Sequence, residues 1–367
     1  MSRSRWLAVL AFASILTLGV AACGSSSDET GSSSSGSDLS GEIAGAGATS
    51  QEAAQEAWIA NFENANSGAT ISYDPVGSGG GREQFSAGGV AYAGSDAAIS
   101  EEEGELKAAL KRCAPGQLIE VPAYVSPIAI IYNLPEVESL QLSAETLAKI
   151  FNQEITAWND QAIAADNPGV DLPDTRITPV NRSDESGTTE NFTEYLSEVV
   201  PSVWDHEVSG DWPVKGGEAA SGTSGVVEAV AAGEGAIGYA DASQAGELGV
   251  AKIQVGQDYV EPTPEAAAAI LEESPEDKSA EASPYMFAFK LDRKTETQGT
   301  YPVVLVSYLL ACTKYDSSSE AAIAKAYLEY AISTEGQQAA AENAGSAPLS
   351  AALTKKVTPA VEAIEAG

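Results

Sequence analysis

Three glycine-rich turns constrain most tightly what this chain can fold into. Gly45-Ala46-Gly47-Ala48-Thr49-Ser50 follows a short apolar start and precedes a helical pattern at 51–65. Val76-Gly77-Ser78-Gly79-Gly80-Gly81 follows the strand-like run Thr70-Ile71-Ser72-Tyr73 and precedes a short helix at Arg82. Asn181-Arg182-Ser183-Asp184-Glu185-Ser186-Gly187-Thr188-Thr189 stands just before a helical stretch at 190–200. Each is a strand-to-helix turn with a hydroxyl at the helix start. A chain punctuated this way alternates strands with helices and folds as an α/β protein.

The same turns point to a chemistry. A helix N-terminus offers unpaired N–H groups and a partial positive charge, which together seat an anion. Gly187 lets backbone approach a ligand, Ser186, Thr188 and Thr189 bring hydroxyls, and Arg182 brings a fork of donors suited to an oxyanion. Taken alone, the third turn reads equally as a Ser/Thr helix cap beside a surface Arg–Asp pair. No Gly-Lys-Ser/Thr follows any of the glycine runs, so none is a Walker phosphate loop. No acid is placed to take a ribose hydroxyl, as a dinucleotide fold requires.

At 367 residues the chain has room for two domains. Its start reads as a targeting segment: Arg3 and Arg5 form a basic region, 6–20 is apolar, and Val20-Ala21-Ala22-Cys23 reads as a lipoprotein cleavage site. Residues 1–22 are then a signal peptide and Cys23 the acylated N-terminus; a conventional signal peptide with an incidental cysteine is the alternative. Residues 23–41, rich in Ser and Gly, read as a flexible tether. Loss of Arg3 and Arg5 takes the formal charge from −34 to −36. Such acidity excludes nucleic acid as a partner, which needs basic stripes. It also repels an anion, so an anion site here relies on donors within a few ångström, inside the roughly 8–10 Å over which salt screens distant charge.

With Cys23 assigned to lipid, Cys113 and Cys312 remain as a pair in an oxidising compartment, where a structural disulfide is favoured over two free buried thiols. The lone histidine, His206, reads as a surface or packing residue, and no clustered Cys/His spacing suggests a metal. No cofactor is expected. Strand patterns fall at 71–76, 118–122, 127–132, 176–180, 236–239, 252–255 and 303–310, and helical ones at 51–65, 102–112, 144–151, 189–200, 224–232, 264–272, 319–332 and 349–364. This order predicts mostly parallel sheets with ligands at the carboxyl ends of strands, in a cleft between two domains.

Taken together, Gly45-Ala46-Gly47-Ala48-Thr49, Gly77-Ser78-Gly79-Gly80, Gly94-Ser95-Asp96, Ile150-Phe151-Asn152 with Thr156-Ala157-Trp158-Asn159-Asp160, Arg182-Ser183-Asp184-Glu185-Ser186-Gly187-Thr188 and Gly235-Ala236-Ile237-Gly238-Tyr239 resemble the lipid-anchored phosphate-binding subunit of bacterial ABC phosphate importers. The resemblance spans about 42–365. It implies a two-lobed periplasmic-binding-protein fold with two hinge strands and a ligand cleft between lobes, lobe I from 42–132 plus 300–367 and lobe II from 133–299. The ligands it implies are Thr49, the backbone at Ser50, Ser78 and Asp96 from lobe I, with Arg182, Ser186, Gly187 and Thr188 from lobe II. Asp184 would orient the arginine. Ser50 stands where related proteins often carry an apolar residue, and 216–222 keeps the family pattern too loosely to supply a ligand. The implied partners are inorganic phosphate, an ABC permease and ATPase complex, and the membrane through the lipid anchor only, with the chain a monomer on the extracytoplasmic face.

Among these groups Asp96 alone accepts. A carboxylate beside an anion is repulsive unless the ligand brings a proton, which phosphate does near neutral pH and sulfate does not. The bland reading of Asp96 is a helix cap for Ala97-Ala98-Ile99. A binding protein for sulfate, molybdate, tungstate or arsenate is the alternative on the same fold. A phosphoester hydrolase with Ser78 or Ser186 as nucleophile is a third reading; it lacks a Gly-x-Ser-x-Gly elbow and an adjacent base, and no catalytic residue is expected.

Overall fold

The strand Leu118–Tyr132 organises the molecule: all fifteen of its residues are buried, and its two ends belong to different parts of one curled sheet. The structure is a computed structural model describing residues 39–101, 104–278 and 282–367. The signal-peptide reading, Cys23 and the tether up to residue 38 lie outside the described residues.

From Leu118 to Pro127 this strand runs antiparallel to Val304–Cys312; from Ile128 to Tyr132 it pairs instead with Ala236–Asp241. The first half of the sheet continues through Tyr92–Ser95 and Gly41–Gly47 to Ala69–Asp74, the second through Thr178–Arg182 to Glu218–Ala220. Sequence patterning predicted two strands here, broken near Pro122 and Pro127, and the structure joins them. Proline has no N–H and is tolerated in a sheet at bulges and where pairing lapses. Pro122 sits at the register shift opposite Ser307 and Tyr308, and Pro127 sits where the partner strand changes.

The expectation of mostly parallel sheets is corrected as well. Gly41–Gly47 pairs in parallel with both neighbours, as does Thr178–Arg182, but the central pairings of Leu118–Tyr132 with Val304–Cys312 and Ala236–Asp241 are antiparallel. The strand that returns late in the chain, Val304–Cys312, runs against the sheet it enters and makes the fold mixed.

Helices cover the sheet. Trp58 and Phe62 on Glu52–Ala65 pack with Tyr327 and Leu328 on Ser318–Ile332 in the large core of the first half. Ala129 and Ile131 face Val226 and Val230 on the helix Gly222–Ala232, whereas Ile128 and Ile130 face the larger cluster. A strand buried on both faces reads as a continuous apolar run, as Ile128-Ala129-Ile130-Ile131 does. Cys113, closing the helix Glu105–Cys113, and Cys312, closing Val304–Cys312, form a disulfide. No helix among the described residues is long and apolar enough to cross a membrane.

Candidate functional site

The carboxyl ends of the parallel strands converge on one buried cluster, where ligands gather in open α/β sheets. Gly41–Gly47 delivers Thr49 and Ser50, Ala69–Asp74 delivers Ser78, and Tyr92–Ser95 delivers Asp96. From the second half, Thr178–Arg182 delivers Arg182, Ser186, Gly187 and Thr188, and Glu218–Ala220 delivers Gly222 and Thr223. Thr49, Ser50, Ser78, Asp96, Arg182, Ser186 and Thr188 are each no more than 5% exposed, so an anion among them would be stripped of water.

Local sequence explains the placement. The turn Thr49–Gln51 and the helices Ser78–Ser86 and Gly222–Ala232 all begin without a side-chain cap, whereas Ser186 accepts from Thr189 N and starts Gly187–Val199. Gly77 has φ 90°, a conformation that other residues rarely adopt, and Asp184 Oδ2 lies 2.8 Å from where its Cβ would stand. Gly187 is needed for space: a Cβ there would lie 2.7 Å from Ser78 Oγ, 2.8 Å from Asp96 Cβ and 2.9 Å from Ala97 N. The second half thus meets the first at contact distance through this glycine.

Arg182 is 3% exposed and donates from Nε to Asp184 Oδ1 at 2.9 Å and from Nη2 to Oδ2. Asp184 Oδ1 also accepts from Gly222 N at 3.0 Å. Burial pulls the Asp184 carboxyl upward, but the Arg182 bonds and charge with the Gly222 N–H outweigh it and hold the group below its ordinary range. The guanidinium is therefore fixed in orientation, with Nη1 outside the pair. Arg182 N receives no help from a carboxylate: Tyr239 OH, 3.3 Å away, accepts it, and Thr189 Oγ1 lies 2.7 Å from the same hydroxyl.

Asp96 caps no helix; 97–99 is irregular. Its carboxylate takes three hydroxyl donors, Ser50 Oγ at 2.6 Å and Ser307 Oγ at 2.7 Å on Oδ1, and Thr188 Oγ1 at 2.8 Å on Oδ2. Its N–H donates to Ser78 Oγ at 3.1 Å, and its carbonyl accepts from Asn191 Nδ2 at 2.8 Å. Ser50, expected to contribute only backbone, thus has its hydroxyl on Asp96. A further ion pair joins the halves beside the cluster. Arg82 bridges Glu105 at 2.9 Å in the first half and Glu185 at 2.8 Å in the second. Burial of Arg82 favours losing its charge, but Glu185 and Glu105 prevail and hold it as the cation.

Several members were not foreseen. Thr223 Oγ1 lies 2.7 Å from Thr49 Oγ1, and Thr223 N donates to Thr49 Oγ1 at 3.1 Å. The signal was present: Ser221-Gly222-Thr223 repeats the Ser186-Gly187-Thr188 helix start. Ser307, set beside Tyr308 in the otherwise apolar run Val304–Cys312, gave no such signal, because its partners are remote in the chain. His206 is half-buried, 3.0 Å from Asn152 Oδ1 and edge-on to Trp204, with no hydrogen bond to the cluster. Among the described residues no group of three or more His, Cys, Asp or Glu could hold a metal.

A family model described as a PBP superfamily domain matches residues 32–335. The phosphate-binding protein PstS2 of Mycobacterium bovis is 33% identical over 363 residues, covering 95% of each chain. PstS 3 of Mycobacterium tuberculosis is 33% identical over 380 residues, covering 99% of this chain and all of the relative. The solved structure of a high-affinity periplasmic phosphate-binding protein, PfluDING, bound with phosphate, superposes with a TM-score of 0.71 at 22% identity, covering 87% of this chain and 93% of that one. The fold is that of the two-lobed periplasmic binding proteins, and the chain belongs to the PstS family of phosphate-binding proteins within the PBP superfamily.

Proposed function

We propose that this protein binds inorganic phosphate outside the cytoplasm and delivers it to an ABC transporter for import. The observation that carries the reading is the water-excluded meeting of one oriented guanidinium, several hydroxyls and uncapped helix starts with a single acceptor, Asp96. Thr49, the Ser50 N–H, Ser78, Ser186 and the Gly187 and Thr188 N–H groups would donate to the phosphate oxygens, with Arg182 supplying positive charge and Asp184 holding it in place. Asp96 would accept the proton that phosphate keeps near neutral pH. The donor set suits any tetrahedral oxyanion, but a fully ionised one would set two like charges facing each other in a dry cleft. Family membership supports the same ligand.

The lobes in this reading are 42–132 with 300–367, and 133–299, closing over the ligand. Cys23 would carry lipid, with 23–41 as tether, so the monomer would work at the extracytoplasmic face of the cell membrane beside its permease and ATPase complex. The role is binding without turnover: His206, the lone imidazole, is hydrogen-bonded to Asn152 rather than to Ser78 or Ser186, and a chromogenic phosphate ester should be left intact.

Calorimetric titration with phosphate, sulfate and arsenate tests the reading, phosphate being expected to bind far more tightly than sulfate. Arg182→Ala should weaken phosphate binding at least tenfold, since a hydrogen bond to a charged group contributes about 1.5–3 kcal/mol and Asp184 would be left unpaired. No heat with phosphate in the unaltered protein, or an unchanged Kd in the variant, would contradict it.

A further inference from the structure

Behind Asp96, on the side away from the second half, lies a buried chain of hydrogen bonds that all point one way. Tyr92 and Tyr327 hydroxyls donate to Gln55 Oε1 at 3.0 and 2.6 Å. Gln55 Nε2 donates to Gln51 Oε1 at 2.9 Å. Gln51 Nε2 donates to Ser307 Oγ at 2.5 Å and to the Tyr308 carbonyl at 3.2 Å. Ser307 Oγ donates to Asp96 Oδ1 at 2.7 Å. Gln51, Gln55, Tyr92, Tyr327 and Ser307 are all at most 1% exposed.

The direction is set by chemistry at both ends. A carbonyl only accepts, so the Gln51 atom facing Tyr308 O must be the amide nitrogen, which turns Oε1 toward Gln55. Burial drives both tyrosine hydroxyls far above their ordinary range, so they remain donors at any working pH. Ser307 already accepts from Gln51, which leaves its own proton for Asp96. Ser50 fills the other site on Oδ1, while Oδ2 receives Thr188 alone and keeps a lone pair free to accept.

We propose that Ser307, aligned by Gln51 and Gln55, is a positioning residue for ligand selection: with Ser50 it saturates Asp96 Oδ1 with donors, so that the carboxylate is held in place with Oδ2 left to accept the ligand's proton. The inference rests on the phosphate reading and names the neutral relay that sustains its selectivity. With one donor withdrawn, Oδ1 is no longer saturated and the carboxylate is free to turn, so Oδ2 is no longer held as the acceptor that separates a protonated from an unprotonated anion. Chains of aligned hydrogen bonds polarise one another, so the distant members should matter as well as Ser307.

Other charged and titratable groups around Asp96 are Tyr73, Arg82 through Ser95, Arg293 through Asn191, and Glu190, Glu194 and Asp277 along the adjoining cavity. Burial pushes Glu190 up to about 7, so it titrates in the same window and a Glu190→Gln background removes it.

The test is calorimetric titration of the purified protein with phosphate and with sulfate from pH 5 to 9, in two buffers of different ionisation enthalpy. Ser307→Ala is expected to keep phosphate binding within about tenfold while narrowing the phosphate-to-sulfate ratio at least tenfold. Gln51→Met, which keeps the volume and removes the amide, should shift the ratio in the same direction. In an Asp96→Asn background Ser307→Ala should leave the ratio unmoved, because its partner charge is gone. Loss of both affinities by one factor at every pH, or a Ser307→Ala shift that survives in the Asp96→Asn background, would overturn the proposal. Absence of phosphate binding in the unaltered protein would instead defeat the reading on which it rests.

Discussion

Glu120 is fully buried in Leu118–Tyr132; its Oε1 accepts from Ile99 N at 2.7 Å, while Oε2 has no hydrogen-bond partner among the described residues. Burial raises this carboxyl from 4.5 to about 7, against the pull of the Ile99 N–H and Arg82. An acid whose folded value exceeds its unfolded one stabilises the fold fully below the unfolded value and loses that contribution as pH rises through the folded one. Stability should therefore fall between about pH 4.5 and 7, by on the order of 3 kcal/mol from this group. Glu120→Gln should flatten that part of the curve, as measured by urea unfolding at a series of pH values; parallel curves for the two proteins would refute the assignment. The sequence displayed this residue poorly. A single acid in Leu-Ile-Glu-Val-Pro carries no local sign of burial, and the chain at 285–287 that lies along the strand there, through Tyr285 O and Phe287 N on the Glu120 backbone, is remote in sequence. Ser307 was hidden for the same reason: its partners lie 211 and 256 residues away.

Among the elements, the helix Gly187–Val199 bears most directly on ligand capture, since its first residue meets Ser78, Asp96 and Ala97. In Gly187→Ala the methyl would collide with Asp96 Cβ and Ala97 N, neither of them the movable end of a side chain. Its φ lies outside the left-handed region, so the helix itself should form normally. Phosphate affinity should drop at least tenfold with far-UV circular dichroism unchanged; equal affinity would show that the halves need not approach this closely. Most helices were legible because their caps are local, as with Ser143 before Ala144–Phe151 and Thr263 ahead of Pro264–Glu273. The strand Gly41–Gly47 was not, because glycine and alanine are poor strand formers. It exists because small residues let neighbours close in: the Tyr92 ring occupies the place of a Gly45 side chain. Thr334–Ala344 was missed for the opposite reason, its polar, glycine-containing run being held by Ser333 and by Gln337 bonds to Ala123 and Leu349.

For the molecule as a whole, the Cys113–Cys312 bridge closes a loop of 199 residues that contains the entire second half of the sheet. A crosslink over a long loop restricts the unfolded chain, so reduction should lower the melting temperature by an amount equivalent to about 2–5 kcal/mol. Both cysteines sit in the first half, so phosphate affinity at room temperature should hardly change; a large loss of affinity with no change in melting would reverse this assignment. Turns, charge and cysteines made the α/β class and the main cluster legible, whereas the mixed sheet was not, since the direction of Val304–Cys312 depends on a return of the chain that no local pattern encodes.

That return leaves Leu118–Tyr132 with two owners. Opening either half far enough to free this strand strips a neighbour from the other, so neither half has a private route to unfolding. Its backbone amides can exchange with solvent only through the rarest excursions of the chain. A motion that parts the two halves is accordingly expected to flex this ribbon about its proline-marked changeover and to leave its ladders intact.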